Sequence, residues 1–187
     1  RCKKPIIFRA TEQWFISMET KDIRKKALEY INNKVQWIPK WGRERIQGMI
    51  EARPDWCISR QRVWGVPIVA FHCKACHHIL LDHKIVNHVA DKFEKDGSDA
   101  WFSYPESELL PPGTKCPQCK GTDFVRDENI LDVWFDSGVS WSACMEREGI
   151  KIPVDLYLEG SDQHRGWFHS SLLAAMATRG IAPYKAV

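Results

Sequence analysis

Apolar positions Ile23, Ala27, Tyr30, Ile31 and Val35 recur at helical spacing and predict a helix over 23–35, with Thr20 and Asp22 as its start. Pro39 interrupts the pattern. A second short helix is predicted over 41–50, closed before Arg53-Pro54 because proline restricts the residue before it. Shorter apolar runs predict strands over 5–9, 56–59, 66–71, 130–135 and 154–158. Between 73 and about 127 the character changes to a polar helix near 84–95, followed by the turn Leu110-Pro111-Pro112-Gly113. A short helix is expected over 140–147 and a long one over 161–179. Strands alternating with helices predict an α/β chain with a parallel sheet. Residues 1–71 and 128–187 form its core, and 72–127 form a small module inserted outside it. No internal repeat or low-complexity tract is visible.

Composition changes this picture little. The 187 residues are 44% hydrophobic, enough for a packed core, and carry a net charge of +3 with pI about 8.5. That mild basicity permits RNA contact without arguing for it. There is no signal peptide and no apolar run of membrane-spanning length. The nine Trp are unusual; tryptophan mostly fills cores, but clusters of it also build apolar ligand pockets. The seven Cys are odd in number and four of them form two C-x-x-C pairs. That usage points to a metal in a reducing compartment and away from a disulfide framework.

Cys73-Lys74-Ala75-Cys76 and Cys116-Pro117-Gln118-Cys119 carry the clearest chemical pattern. Two residues between cysteines let both thiolates of a knuckle reach one tetrahedral ion at about 2.3 Å. Pro117 and Gly121 suit the tight turn, and the 84–95 helix fits within the 39 residues separating the pairs. His72, His77 and His78 are alternative ligands. Four cysteines already close a site, so the expectation is structural Zn2+ on Cys73, Cys76, Cys116 and Cys119. Cys57 and Cys144 read as core thiols.

The strand over 154–158 runs into Glu159-Gly160-Ser161-Asp162-Gln163-His164 and then the long helix. Ligands of open α/β sheets bind just past a strand's carboxyl end. The helix start offers free N–H groups and a positive dipole end to an anion or phosphate. Gly160 would let a ligand approach the backbone, and the Glu159 carboxylate could accept charge-assisted bonds from an ammonium group. The plainer alternative is a solvated helix cap, with Asp162 as a dipole partner worth about 0.3–1 kcal/mol. Trp134 and Trp167 read as core from composition alone. Ser59-Arg60-Gln61-Arg62 with Trp56 and Trp64 suits either RNA contact or a solvated strand end against a tryptophan-rich core. Arg24-Lys25-Lys26 reads as a solvated helix face.

Four blocks now carry a resemblance. Residues 157–168, Tyr-Leu-Glu-Gly-Ser-Asp-Gln-His-Arg-Gly-Trp-Phe, closely resemble a signature of the isoleucyl-tRNA synthetases, a family of class I aminoacyl-tRNA synthetases. Residues 132–138, Asp-Val-Trp-Phe-Asp-Ser-Gly, resemble a second. Residues 55–65, Asp-Trp-Cys-Ile-Ser-Arg-Gln-Arg-Val-Trp-Gly, resemble a third, which leucyl and valyl enzymes share. Residues 5–15, Pro-Ile-Ile-Phe-Arg-Ala-Thr-Glu-Gln-Trp-Phe, look like the segment that follows the editing domain. The blocks stand in family order.

The resemblance implies part of a Rossmann-like catalytic domain with a zinc-ribbon-like insertion, in a cytoplasmic ligase acting on L-isoleucine, ATP with Mg2+, and tRNA(Ile). It implies that Trp134 and Trp167 wall the pocket for the branched side chain. Glu159, Gly160, Asp162 and Gln163 would bind the aminoacyl-adenylate, with His164 and Arg165 in the same motif. Such a pocket separates isoleucine from valine by one methylene, roughly 1–3 kcal/mol. Both ATP signature motifs are missing, the first residue is Arg1, and Pro183–Val187 look like a strand cut short. The expectation is therefore an internal fragment without a complete catalytic set, inactive alone, with Cys2 as half of a further Cys pair. Alternatives are a valyl or leucyl enzyme, or a non-catalytic zinc-ribbon module that binds nucleic acid.

Overall fold

Ile23, Ala27 and Ile31 fall on one stripe of the helix Ile23–Asn33 and are buried there. Ile46 and Ile50 do the same on Gly42–Glu51. These two helices pack on each other, and the first also packs on the helix Trp167–Arg179. In that last helix every residue from Phe168 to Met176 is buried, so it is covered on all sides. The strands Val154–Leu156 and Tyr184–Ala186 pair in parallel, Val154 opposite Tyr184 and Leu156 opposite Ala186. Gln36 forms a further parallel bridge to Ala186. Two buried polar groups are matched here: the Tyr184 hydroxyl donates to the Phe168 carbonyl at 2.9 Å, and the Trp37 indole N–H donates to the Ile31 carbonyl at 2.9 Å. The short strands Phe15–Ile16 and Trp56–Cys57 pair antiparallel.

The computed structural model describes residues 3–187, so the reading of Cys2 as half of a metal pair lies outside the described residues. The fold is mixed α/β and divides into two compact units. One is the set just described, the residues up to Ser59 with Trp134–Val187; the other is Arg60–Val133. The second unit has its own core of Phe71, Leu80, Ile85, Val89, Trp101, Leu109 and Phe124. Its antiparallel sheet places Phe71–Cys73 between Ile79–Leu80 and Phe124–Arg126. The helix His83–Asp96 starts at Asp82, whose side chain accepts the Lys84 N–H at 2.8 Å, and stops at Gly97 with φ 81°.

Several expectations shift. Residues 5–9 are not a strand, and Ile6, Ile7 and Phe8 are exposed. Over 66–71 only Phe71 enters a strand; Pro67 has no N–H to donate, and its isolated bridge to Ile130 is flanked by the Leu131 N–H donating to the Val66 carbonyl at 2.7 Å. The run 130–135 splits into the strand Ile130–Leu131 and the helix Val133–Gly138, so Trp134 is helical. A short apolar run does not distinguish the two by periodicity. The expected 140–147 helix is a π-helical turn, Trp141–Glu146. The expected 161–179 helix is broken: a 3-10 turn, Ser161–His164, precedes a helix that begins at Trp167, because Gly166 (φ −101°, ψ −116°) leaves the helical region. Trp167 is therefore the first residue of the last helix, not an interior residue of one that starts at Ser161. Cys57 is half-buried, but Cys144 is exposed and is no core thiol.

Leu172 is fully buried in the first unit's core. Leu172→Ala should lower the unfolding free energy by about 2–5 kcal/mol, read from urea denaturation. A loss below about 1 kcal/mol would show that this helix is not central to the core.

Candidate functional site

The turn between Leu158 and Trp167 is built by local hydrogen bonds. Leu158, Glu159, Gly160, Ser161 and Asp162 are exposed, whereas Tyr157 before them and His164 after them are buried. His164 anchors the far side. Its ring lies 5.9 Å from Trp37, 5.7 Å from Trp41 and 5.4 Å from Phe168, and its Nδ1 is 2.7 Å from the Ser161 carbonyl. Glu159 Oε2 accepts the Gly160 N–H at 2.7 Å, which holds the carboxylate at the turn in reach of solvent. Gln163 Nε2 donates to Asp162 Oδ2 at 3.0 Å, and Gln163 Oε1 accepts the Trp167 N–H at 2.8 Å. Gln163 thus satisfies one of the free N–H groups at the start of the last helix.

The two tryptophans flank this turn. At Gly166 a Cβ would meet Gln163 Oε1 at 2.4 Å and the Trp134 ring at 2.9 Å, so the loop backbone lies directly against that indole. At Gly138 a Cβ would meet the Ser170 backbone at 2.9 Å, so the helix that carries Trp134 touches the last helix. Trp134 stays 44% exposed, placing an indole face at the turn. Trp167 stacks on Tyr157 with centroids 3.9 Å apart and an interplanar angle of 9°, and its Nε1–H donates to Ser140 Oγ at 3.0 Å. The expected residues Glu159, Gly160, Asp162, Gln163, Trp134 and Trp167 are therefore neighbours. A carboxylate, exposed backbone and two indoles together can hold a small amphiphile with a cationic head and an apolar tail. Sequence reasoning missed Tyr157, Ser140 and Gly138 as parts of this assembly. Tyr157 stands inside the signature block, but nothing in the sequence pairs its ring with Trp167.

His169, next to this turn, is 3% exposed, and neither ring nitrogen has a hydrogen-bond partner among the described residues. Burial, with the nearby Arg53 and Arg165 charges, pushes its pKa down to about 3.

In the second unit the four expected sulfurs converge. The Sγ atoms of Cys73, Cys76, Cys116 and Cys119 all lie within 4.8 Å of one another, with Cys73 and Cys119 3.5 Å apart and Cys76 and Cys116 3.6 Å apart. Four sulfurs at about 2.3 Å from one tetrahedral ion stand about 3.8 Å from each other, so the cluster has the size to hold a metal ion. Two matching knuckles build it. The His77 N–H donates to the Cys73 carbonyl at 2.8 Å and the Cys73 N–H to the His78 carbonyl at 2.9 Å; the Lys120 N–H donates to the Cys116 carbonyl at 2.9 Å and the Cys116 N–H to the Gly121 carbonyl at 2.8 Å. Each knuckle turns on a left-handed residue just after its second cysteine, His77 (φ 57°) and Lys120 (φ 65°), so the turn does not fall on Gly121.

The thiols share protons unequally. At Cys116 burial raises the pKa, but backbone N–H donors of Cys119 and Gln118 and the Cys76 thiol outweigh it and bring it to about 6. At Cys76 the His78 N–H lowers it, while burial and the other three sulfurs push it up to about 12. The histidines stay outside the cluster; His72 Nε2 is 3.0 Å from Asp127 Oδ2. Elsewhere in this unit Arg60 pairs with Asp132 at 3.0 Å, and Trp64 is almost fully exposed.

A family model described as tRNA synthetases class I (I, L, M and V) matches residues 2–187. The chain belongs to the class I tRNA synthetases. Among similar proteins, one named Isoleucine--tRNA ligase from Geobacter sulfurreducens is 65% identical over 188 residues, covering 100% of this chain and 20% of the relative. Proteins of the same name from Syntrophotalea carbinolica and Nitratidesulfovibrio vulgaris are 62% and 58% identical, again over the whole chain and 20% of their own length. This class I synthetase chain thus spans about one fifth of the curated relatives it matches. No helix among its described residues is long and apolar enough to cross a membrane.

The depressed His169 pKa has a sign. The folded chain takes up this proton only near pH 3, whereas an unfolded histidine takes it up near 6.5, so stability is lost as pH falls through that window. The slope is up to about 1.4 kcal/mol per pH unit. His169→Met should lose less unfolding free energy between pH 7 and 4 than the parent chain in paired urea titrations. Equal losses would show that His169 titrates normally.

Proposed function

We propose that this chain is the segment of an isoleucine-activating class I synthetase that receives the aminoacyl-adenylate. The enzyme joins L-isoleucine to ATP, accompanied by Mg2+, releases pyrophosphate, and passes the acyl group to tRNA(Ile). The observation that carries the reading is the Glu159–Gln163 turn flanked by the Trp134 and Trp167 indoles. The Isoleucine--tRNA ligase name of the similar proteins supports it. In this reading the Glu159 carboxylate accepts the substrate ammonium, and the two indoles enclose the branched side chain. Gly160, Asp162 and Gln163 border the adenylate. The chemistry then rests on positioning and charge stabilisation, with no covalent enzyme nucleophile.

Residues 1–71 with 128–187 are the corresponding part of a Rossmann-like catalytic domain, a reading supported by the parallel pairing of 154–156 with 184–186. Residues 72–127 are a zinc-ribbon-like insertion. The four cysteines would hold Zn2+, whose closed sulfur coordination supplies folding energy and activates no water. The enzyme is cytoplasmic in this reading.

Two outcomes test it. Elemental analysis should give about one equivalent of zinc per chain, lost when Cys116 and Cys119 are both replaced by Ser; full retention in that variant contradicts the metal site. In a full-length enzyme that carries this segment, Glu159→Ala should cut isoleucine-dependent pyrophosphate exchange at least about tenfold, equivalent to about 1.4 kcal/mol, with little change in melting temperature. Near-normal exchange would reduce Glu159 to a cap residue. Exchange driven by valine or leucine in place of isoleucine would reassign the substrate.

A further inference from the structure

We propose that Ser140 and Tyr157 are positioning residues that fix the Trp167 indole and thereby set the discrimination among aliphatic amino acids; this rests on the reading of function above. A flat ring is fully oriented when its plane and its rotation within that plane are both held. Tyr157 holds the plane, stacked at 3.9 Å and 9°. Tyr157 cannot follow a displaced indole, because it is itself 2% exposed and packed against Tyr184 at 4.8 Å. Ser140 holds the rotation, accepting the indole N–H at 3.0 Å.

Ser140 stands two residues past Gly138, where the Trp134 helix touches the Ser170 backbone. The contact therefore couples the two indoles that would face the substrate. A gap of 0.5–1 Å on one side of an apolar group forfeits about a quarter to a half of its dispersion attraction, and one methylene separates related amino acids by only roughly 10–200-fold. An indole free to rotate would erase much of that margin while leaving the adenylate turn, built from Glu159, Asp162 and Gln163, in place.

The test uses a full-length enzyme that carries this segment. The ratio of kcat/KM for isoleucine to that for valine is measured by pyrophosphate exchange in the parent, Ser140→Ala, Ser140→Thr, Tyr157→Phe and Tyr157→Leu, with melting temperatures alongside. Ser140→Ala and Tyr157→Leu should lower the ratio at least about fivefold, chiefly through a higher KM for isoleucine. Ser140→Thr, which keeps the hydroxyl, and Tyr157→Phe, which keeps the stack, should stay within about twofold of the parent. A parent that activates isoleucine, with an unchanged ratio in Ser140→Ala and Tyr157→Leu, overturns the inference alone. An equal fall for both amino acids, or a Ser140→Thr as impaired as Ser140→Ala, would mark a structural role and also overturn it. A parent that does not activate isoleucine overturns the functional reading and the inference with it.

Discussion

The backbone at position 166 lies against two side chains. A single carbon added there would press on the Gln163 amide oxygen and stand 2.9 Å from the Trp134 ring, so those side chains would have to shift. The surrounding arrangement depends on this contact. Beside it Gln163 turns back to accept the Trp167 N–H, and the last helix begins there and not at Ser161. A second close approach, Gly138 on Ser170, presses the short helix of Trp134 against that same helix. Burial on every side from Phe168 to Met176 then makes the last helix a fixed reference for the turn. The turn is ordered by packing from beneath while its upper surface, Leu158 to Asp162, stays open.

The second unit solves a different problem. Its strands are only two or three residues long and its core is small, and small cores need a further cross-link. The sulfur cluster is part of that core, with Cys73 and Cys116 buried in the same cluster as Phe71 and Trp101. Backbone N–H groups of Cys119 and Gln118 directed at Cys116 prepare that sulfur for negative charge. The buried Asp127 accepts the Asn129 backbone and side-chain N–H groups at 2.7 and 2.8 Å and meets His72 at 3.0 Å, joining the chain's entry to the module with its exit.

Much of this was legible in the sequence. The periodicity of Ile23, Ala27 and Ile31 gave the first helix and its buried face, and the spacing of the four cysteines gave the cluster. Elements decided by tertiary contacts were not legible. Val133–Gly138 reads as a strand because a short apolar run carries no period, and it is helical where Gly138 packs on Ser170. The break before Trp167 depends on how Gly166 meets Trp134, far away in sequence. The strand expected over 5–9 has its apolar side chains, but Ile6, Ile7 and Phe8 bury nothing among the described residues. The signature around Glu159 contained residues that the fold brings together. Ser140 and Tyr157, which contact Trp167, came only from geometry, since a hydroxyl and a phenol ring are unremarkable in any sequence.

The central claim is that an amino acid's side chain is held between Trp134 and Trp167 while its ammonium meets Glu159. The direct test is a crystal structure with a non-hydrolysable isoleucyl-adenylate analogue. The account predicts the branched side chain within about 4 Å of both indoles and the ammonium within about 3 Å of the Glu159 carboxylate. An analogue bound with its side chain away from both indoles, or bound elsewhere on the chain, would contradict it.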